Sequence, residues 1–383
     1  MVHRSEARGR DDLTRAEILL LLGSAGPLSR AEIATRLGRG RATVTEHARR
    51  LLAAGMVREL PAQAGSAGRP RVPLELVPDA GHVLGLRVTV DRVVGAVIRL
   101  DGEIVEEFVR EAPVRSAGVD GLVEIVEEEF AARSSYPLHG VGVALPGVVD
   151  LGTGAVRMSA TLGWRDADLG ATLARRIDVP VLVDNDLHAS TTAELLFGMG
   201  RDHDDFLVLG IGDGVALGMV LDRRVHRGPD GTAGELGHTT IDPAGPLCNC
   251  GNRGCLQAFV SSDALIAQAR ADHLIGPRAG LGGLRRSAAE GTPGAVDLLH
   301  EAGERLGRAV AGVVTVLAVR AVKVIGESHI LWPYLEPGFT SATNASLLPP
   351  LHDLEVRVKP WREIEHARGA ASLLLAHGEA LPT

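Results

Sequence analysis

The chain has 383 residues, of which 45% are hydrophobic and 23% are charged, which is typical of a globular protein with more than one core. It has no run of about 18 apolar residues and no signal-like start, which argues against a membrane-spanning or secreted protein and favours the cytoplasm. The net charge of −8 is unevenly spread, because residues 1–78 contain 13 arginines against 8 acidic residues. A basic amino-terminal segment followed by an acidic remainder predicts that only residues 1–78 bind a polyanion.

The first elements in the chain are three short predicted helices. A Thr-x-x-Glu capping box predicts a first helix over 14–23, ended by glycine. A Ser-x-x-Glu box predicts a second helix over 29–38, and apolar spacing predicts a third over 41–54. Three short helices with a tight turn before the last are the helix-turn-helix plan, whose third helix enters the major groove of DNA.

The third helix and the segment after it contain the predicted DNA contacts. Predicted strands over 56–60 and 72–76 flank a basic, glycine-rich loop, which is the pattern of a winged helix. The alternative is a three-helix packing module with a solvated arginine face, but the helix order, the wing and the charge distribution together favour DNA. The predicted contacts, at the start of the third helix and at the tip of the wing, are Arg39, Arg41, Thr43, Thr45, Arg69 and Arg71.

After a linker at 78–81, the pattern changes to strands and helices. A three-strand meander is followed by a helix and a buried strand, and much of this pattern returns from residue 206. The repeat is consistent with two similar α/β lobes. The predicted elements are strands over 82–89, 93–100 and 104–110, a helix over 119–133, a strand over 141–145, and the repeated strands over 206–211 and 214–222.

An apolar strand over 181–183 ends in three polar residues, Asp184, Asn185 and Asp186. An amide and a carboxylate at the end of a strand are suited to bind the hydroxyl groups of a small ligand. The alternative is that the same residues cap a helix, since a helical pattern follows from Ala189.

All three cysteines of the chain, Cys248, Cys250 and Cys255, lie within eight residues, and His238 precedes them by ten. Three thiolates and one imidazole form a complete tetrahedral zinc set. A disulfide would leave one thiol unpaired and would strain the closest pair, and the clustering argues against three unrelated buried side chains. Because four protein ligands close the coordination shell, we expect one structural zinc ion per chain.

This segment resembles a known family. The string 235–238, Glu-Leu-Gly-His, followed by Cys-x-Cys-Gly-x-x-Gly-Cys-Leu over 248–256, is similar to the zinc signature of the ROK family of sugar kinases and sugar-responsive repressors. The resemblance extends to Gly68-Arg69-Pro70 in the wing. It implies a two-lobed actin-like (ribonuclease H-like) α/β fold after the winged helix, with a helix over 365–377 completing the first lobe. By the same resemblance, the sugar ligands are Asn185, Asp186, Glu235 and His238.

The positions that would bind ATP and magnesium depart from the family's kinases. Arg87 stands where the resemblance implies an aspartate, and a cation cannot coordinate Mg²⁺. The glycine loop over 210–218 lacks a threonine and one glycine, and the glycine pair that follows is reduced to Gly326-Glu327. We therefore expect no catalytic residues and no ATP. Separately, Gln257 replaces the glutamate that the resemblance implies after Cys255-Leu256, a change that bears on which sugar is bound.

Together these observations predict a sugar-responsive transcriptional regulator, a repressor of carbohydrate metabolism, that is not an enzyme. Its expected partners are operator DNA, a sugar or sugar-phosphate effector, and a second copy in a homodimer or dimer of dimers, without a membrane. The predicted domains are 1–78 for DNA binding, 79–188 with 365–383 for the first lobe, and 189–364 for the second. The alternatives are an active sugar kinase with an appended DNA-binding module, and a DNA-binding protein whose effector is another protein.

Overall fold

The computed structural model describes residues 2–62 and 71–378, with side chains from Thr14 onward. The chain forms two compact units. The first contains the chain up to Arg201, residues Pro229–Gly231 and the chain from Ile364 onward, and the second contains Asp202–Gly228 and Thr232–Glu363. Within the described ranges, no helix is both long and apolar enough to cross a lipid bilayer.

The amino-terminal part of the first unit is a winged helix, which confirms the predicted plan. Its helices are α1 (Val2–Ala25), α2 (Arg30–Arg36) and α3 (Arg41–Ala53), and its strands are β1 (Leu28–Ser29), β2 (Val57–Glu59) and β3 (Pro73–Leu76). The three strands form an antiparallel sheet in the order β1-β3-β2. The capping box predicted for α2 is present, since Ser29 and Glu32 bond each other's backbone N–H groups.

The predicted bounds of the first helix are wrong. The helix begins at Val2 and continues through Thr14, which is only 6% exposed. Glu17, the expected capping partner, instead accepts hydrogen bonds from the Arg39 guanidinium. At the other end the helix passes Gly23 and stops before Gly26, whose φ of 76° is the left-handed conformation that ends helices.

The rest of the first unit is built on a five-stranded sheet. Its strands are β4 (His82–Val88), β5 (Arg92–Arg99), β6 (Ile104–Glu111), β7 (Leu138–Leu145) and β11 (Val181–Asn185), in the order β11-β7-β4-β5-β6. Strands β8 (Val148–Asp150), β9 (Ala155–Ser159) and β10 (Trp164–Ala167) form a small separate sheet. The helices of this part are α4 (Val114–Ala132), α5 (Leu169–Ala174) and α6 (Asp186–Phe197).

The second unit repeats this arrangement, as the sequence pattern predicted. Its central strand β12 pairs antiparallel with β13 and parallel with β15, in the order β14-β13-β12-β15-β16. The strands are β12 (Phe206–Ile211), β13 (Val215–Leu221), β14 (Arg224–Val225), β15 (Ala321–Ile325) and β16 (Glu355–Val358). The helices are α7 (Gln257–Val260), α8 (Ser262–Ala271), α9 (Leu281–Ala289), α10 (Pro293–Leu317) and α11 (Trp332–Ser346).

The last helix, α12 (Ile364–His377), returns to the first unit and packs on its sheet. The packing is so close that a Cβ atom added to Gly85 would lie 2.0 Å from the Ala367 carbonyl oxygen. At Gly142 the corresponding distance, to the Ala370 carbonyl oxygen, is 1.9 Å. Side chains of α12 share one buried apolar cluster with α1, α2 and α3 of the winged helix. The winged helix and the first lobe therefore share a core.

Candidate functional site

The outer face of α3 carries the residues predicted to read DNA. Arg41, Thr43 and Thr45 are exposed, whereas Val44, His47 and Ala48 on the opposite face are buried. Thr45 donates its hydroxyl proton to the Arg41 carbonyl at 2.8 Å. The amino-terminal end of α3 thus presents one guanidinium and two hydroxyl-bearing side chains to solvent, as expected for a helix that enters a groove.

Two of the other predicted DNA contacts, Arg39 and Arg71, are paired with glutamates in the absence of DNA. Arg39 forms a two-pronged ion pair with Glu17, at 3.0 and 3.2 Å. Arg71 is exposed and lies 3.2 Å from Glu32. Both pairs are solvent-exposed and therefore weak, so a phosphate group can replace the carboxylate at low cost. Arg69 lies outside the described residues.

The structure brings His238, Cys248, Cys250 and Cys255 together, with their ligand atoms all within 4.8 Å of one another. His238 Nδ1 is 3.5 Å from Cys248 Sγ, and Cys250 Sγ is 3.7 Å from Cys255 Sγ. Sulfur atoms about 2.3 Å from a shared tetrahedral centre would lie about 3.8 Å apart, so these spacings fit one metal ion. The three cysteines form no disulfide.

The electrostatics of the thiols also suit a cation. Burial raises the pKa of the Cys255 thiol to about 11, so without a cation this sulfur stays protonated near neutral pH. The backbone N–H of Asn252 lowers the pKa of the more exposed Cys250. Three thiolates in so small a volume repel one another, and a divalent metal ion would compensate that repulsion while displacing the protons. The donor set therefore could hold a metal ion.

Two glycines shape the turn that closes the metal cluster. Gly251 and Gly254 have φ values of 94° and 67°, which only glycine adopts easily. A Cβ atom at Gly254 would lie 1.5 Å from the Asp242 carbonyl oxygen. The chain can therefore bring Cys255 back to the other thiols only because position 254 lacks a side chain.

His238 is oriented by the residues on either side of its ring. Nδ1 faces Cys248, while Nε2 lies 3.8 Å from the Glu235 carboxylate. A metal ion on Nδ1 would leave the proton on Nε2, directed towards that carboxylate. Glu235 is exposed, so its carboxylate can accept further hydrogen bonds from a ligand.

Asn185 and Asp186 lie where β11 turns directly into α6. Asn185 Oδ1 caps α6 by accepting from the N–H groups of Leu187 at 2.8 Å and His188 at 3.2 Å. Its Nδ2 donates to the Gly147 carbonyl at 2.9 Å. Asn185 is therefore a helix cap, as the alternative interpretation predicted, and one Nδ2 proton remains for a ligand.

Asp186 belongs to a charged cluster that sequence reasoning missed. Arg87 Nη2 on β4 lies 3.9 Å from the Asp186 carboxylate, and only a fifth of each side chain is exposed. His366 on α12 is buried and lies 2.8 Å from Ser190 Oγ, which donates to the Asp186 carbonyl. Burial and the nearby Arg87 charge lower the pKa of His366 to about 4, so the ring is neutral near pH 7. His366 gave no signal in the sequence because it lies far from this cluster along the chain.

Known proteins resemble the chain over most of its length. A crystal structure of a ROK family transcriptional regulator, a homologue of the Escherichia coli Mlc protein, superposes with a TM-score of 0.84 at 28% identity and 97% coverage of both chains. The xylose repressor of Bacillus subtilis is 33% identical over 63% of each chain, so the match spans under two thirds of that protein's length. A glucokinase of Thermotoga maritima is 36% identical over 43% of this chain and 52% of its own.

Two family profiles divide the chain between them. The MarR family profile matches residues 12–62, which contain α2 and α3 of the winged helix. The ROK family profile matches residues 83–377, which include the metal cluster and all but the first residue of the two five-stranded sheets. Because this second match covers well over half of the sequence, the chain belongs to the ROK family.

Proposed function

We propose that the protein is a sugar-responsive transcriptional regulator that represses genes of carbohydrate metabolism and is not an enzyme. The observation that carries the proposal is the shared core of the winged helix and the first lobe, in which α1 packs with α12. A DNA-binding module that shares a core with a ligand-binding lobe can respond to a ligand that favours one arrangement of that lobe over another. In this proposal residues 1–78 bind operator DNA, residues 79–188 with 365–383 form the first lobe, and residues 189–364 form the second.

The proposed effector is a sugar or sugar phosphate. Its proposed ligands are Asn185, Asp186, Glu235 and His238, which supply carboxylate, amide and imidazole partners for hydroxyl groups. Asp186 lies beside Arg87, so its carboxylate can serve as a hydrogen-bond acceptor that the guanidinium helps to hold in place. The metal is proposed to be one structural zinc ion on His238 and the three cysteines. With its coordination shell closed, that ion would hold the segment carrying Glu235 and His238 in shape without joining any reaction.

Coupling to DNA is proposed to run through α6 and α12. Asp186 opens α6, and His366 and Ser190 join that end of α6 to α12. An effector that binds one arrangement of these helices more tightly than another would change the free energy of operator binding by at most that difference in binding free energy. A typical coupling of about 1–3 kcal/mol corresponds to an approximately 5- to 150-fold change.

The operator complex is proposed to be two-fold symmetric. One winged helix with a few side-chain contacts reads a short sequence, and a homodimer doubles the number of bases read. Two copies of α3 would then occupy major grooves about 34 Å apart, or a multiple of that spacing.

A sugar kinase with an appended DNA-binding module is the second candidate, and the 36% identity with the Thermotoga glucokinase favours it. Sugar-dependent formation of ADP from ATP across a panel of hexoses separates the two. Turnover that disappears in Asp186→Asn would establish the kinase. Under our proposal, neither the wild-type protein nor Asp186→Asn forms ADP.

The proposal is tested by separating effector response from DNA binding. A thermal-shift screen of sugars and sugar phosphates identifies the effector, because a ligand that binds only the native state raises its melting temperature. DNA duplexes selected from a random library by the wild-type protein then serve as the operator probe. Glu235→Ala should abolish the effect of the sugar on operator affinity, yet leave ligand-free affinity near the wild-type value. The matched control is Glu290→Ala, which replaces an exposed glutamate elsewhere in the second unit. In this variant the sugar should change operator affinity as it does in the wild-type protein. A normal response in Glu235→Ala would contradict the proposed site.

A further inference from the structure

A glycine-containing turn joins β12 to β13 in the second unit, and together with Val215, the first residue of β13, it is called the 212–215 turn. It lies at the carboxyl end of β12, beside the carboxyl end of the parallel strand β15, since Gly210 pairs with Ile325. In α/β sheets, the carboxyl ends of neighbouring parallel strands are where ligands bind. Asp213 and Gly214 are exposed at this edge.

Two amide groups of this turn donate to side chains from other parts of the chain, and a third closes the turn itself. The Asp213 N–H donates to Glu327 Oε1 at 2.7 Å, and the Val215 N–H donates to Gln257 Oε1 at 3.3 Å. The Gly212 N–H donates to the Gly214 carbonyl at 3.0 Å. Successive backbone amides in a tight turn form an anion-binding concavity. Here the oxygens that fill it come from two separate helical segments, of which one carries a full negative charge.

The Glu327 carboxylate lies directly over the turn. A Cβ atom added to Gly212 would lie 2.1 Å from Glu327 Oε1, so only glycine leaves room for the carboxylate at this place. Gly326 has a φ of 100°, and a Cβ atom there would lie 2.4 Å from the Ile211 carbonyl oxygen. Glycine at 326 thus lets the chain turn sharply after β15 and set Glu327 over the amides. The contact is therefore set by the sharp turn at Gly326 and by the hydrogen bond from Asp213, and Gly212 leaves space for it.

We propose that the 212–215 turn is an anion-binding loop closed from within, in which the Glu327 carboxylate occupies the place of a phosphate group. The carboxylate takes the Asp213 amide, fills the space above Gly212 and repels an incoming phosphate. The Asp213 side chain adds a second negative charge at the same turn. The excluded ligands are phosphate-bearing molecules such as nucleotides and pyrophosphate. This inference rests on the proposed function, since it explains how a chain with a kinase-like fold avoids nucleotides.

The test uses the full-length protein and its Glu327→Gly and Glu327→Gln variants, with pyrophosphate and ADP as probes. Hydrogen–deuterium exchange of the peptide spanning 211–215 reports on the Asp213 amide, and calorimetry reports on binding. Glu327→Gly should exchange at this amide about tenfold faster than wild type, as expected for the loss of a hydrogen bond to a charged group. Millimolar pyrophosphate should slow the exchange again in this variant and should have no effect on the wild-type protein. Glu336→Gln, an exposed glutamate on α11, is the matched control and should behave as wild type.

Glu327→Gln keeps the side-chain shape and removes only the charge, so it tests the proposal even if the glycine variant folds poorly. It should bind pyrophosphate at least tenfold more tightly than wild type. The proposal is overturned if exchange at Asp213 is unchanged in Glu327→Gly, if pyrophosphate protects wild type as well as the variants, or if neither variant gains affinity. These outcomes concern the turn alone. Sugar-dependent ADP formation by the wild-type protein would instead overturn the proposed function.

Discussion

Acidification is expected to destabilise the first unit through His366. This side chain is 7% exposed, is held 2.8 Å from Ser190 Oγ, and faces the Arg87 guanidinium and the Asp186 carboxylate. Burial and the Arg87 charge outweigh the opposite effect of Asp186 and lower the pKa from its ordinary value of 6.5 to about 4. Between those two pH values the unfolded chain binds a proton that the native protein does not. The free energy of unfolding therefore falls as the pH falls from about 6.5 to about 4, and His366 has no such effect above that window.

The size of the effect follows from the shift in pKa. Lowering the pKa from 6.5 to about 4 corresponds to at most about 3.5 kcal/mol, at about 1.4 kcal/mol for each tenfold change in proton affinity. This is a large fraction of the roughly 5–15 kcal/mol that stabilises a typical domain. Because His366 joins α12 to the start of α6, the same protonation should weaken the proposed coupling between effector and DNA.

The assay compares denaturant unfolding of the wild-type protein and His366→Asn at several pH values from 7.5 to 4.5. Asparagine does not titrate and can replace the Nδ1 contact with Ser190. The free energy of unfolding of this variant should therefore lack the decline that His366 causes in the wild-type protein between about pH 6.5 and pH 4.5. Any stability lost through the substitution itself should be nearly the same at every pH. Other groups titrate in both proteins, so the difference between their two curves isolates His366. His273→Asn, at an exposed histidine, should follow the wild-type curve. If His366→Asn declines as steeply as wild type, the reasoning is refuted.

Three further variants test the remaining assignments. Arg41→Ala should weaken operator binding by about 1–3 kcal/mol if it contacts a base, measured by fluorescence anisotropy against Arg320→Ala, an exposed arginine of the second unit that should bind normally. Cys250→Ser should lower the zinc content found by elemental analysis and leave binding by the winged helix intact; freshly purified, unchelated wild-type protein without zinc would rule out the metal assignment. Gly142→Ala should destabilise the protein by at least about 1–3 kcal/mol, because its Cβ would lie 1.9 Å from an α12 carbonyl oxygen. Gly276→Ala, where a Cβ meets no atom within 4 Å, should be close to neutral in the same thermal unfolding experiment.

The sequence was most informative where the residues that form a site or a cap lie close together along the chain. The four candidate metal ligands fall within 18 positions, so their spacing alone predicted that they meet. The α2 capping box was equally local and is present. The similar Thr-x-x-Glu pattern at Thr14 failed because a cap depends on what precedes it, and there the preceding residues are themselves helical. A capping pattern predicts a helix start only if the chain before it leaves the helix.

Long-range contacts could not be predicted from the sequence. Glu327 meets Asp213 across 114 positions, and His366 meets Ser190 across 176. Neither pair has a spacing that any local rule would recognise, and each is fixed only when a sheet brings its parts together. The sequence marked Gly326-Glu327 as a departure from the kinases but gave no reason to place the carboxylate on the loop over 210–218.

The position of α12 supports the proposed coupling between effector and DNA. Its backbone rests on the sheet at Gly85 and Gly142, at distances that admit no side chain, so α12 cannot move independently of β4 and β7. The same helix contacts α6, which begins at Asp186, and α1, which belongs to the winged helix. A densely packed interior has few voids into which side chains could move, so a shift at one contact changes the others. A ligand that moves the start of α6 would therefore act on α1 through one rigid helix, and the free energy of that displacement would set the size of the DNA response.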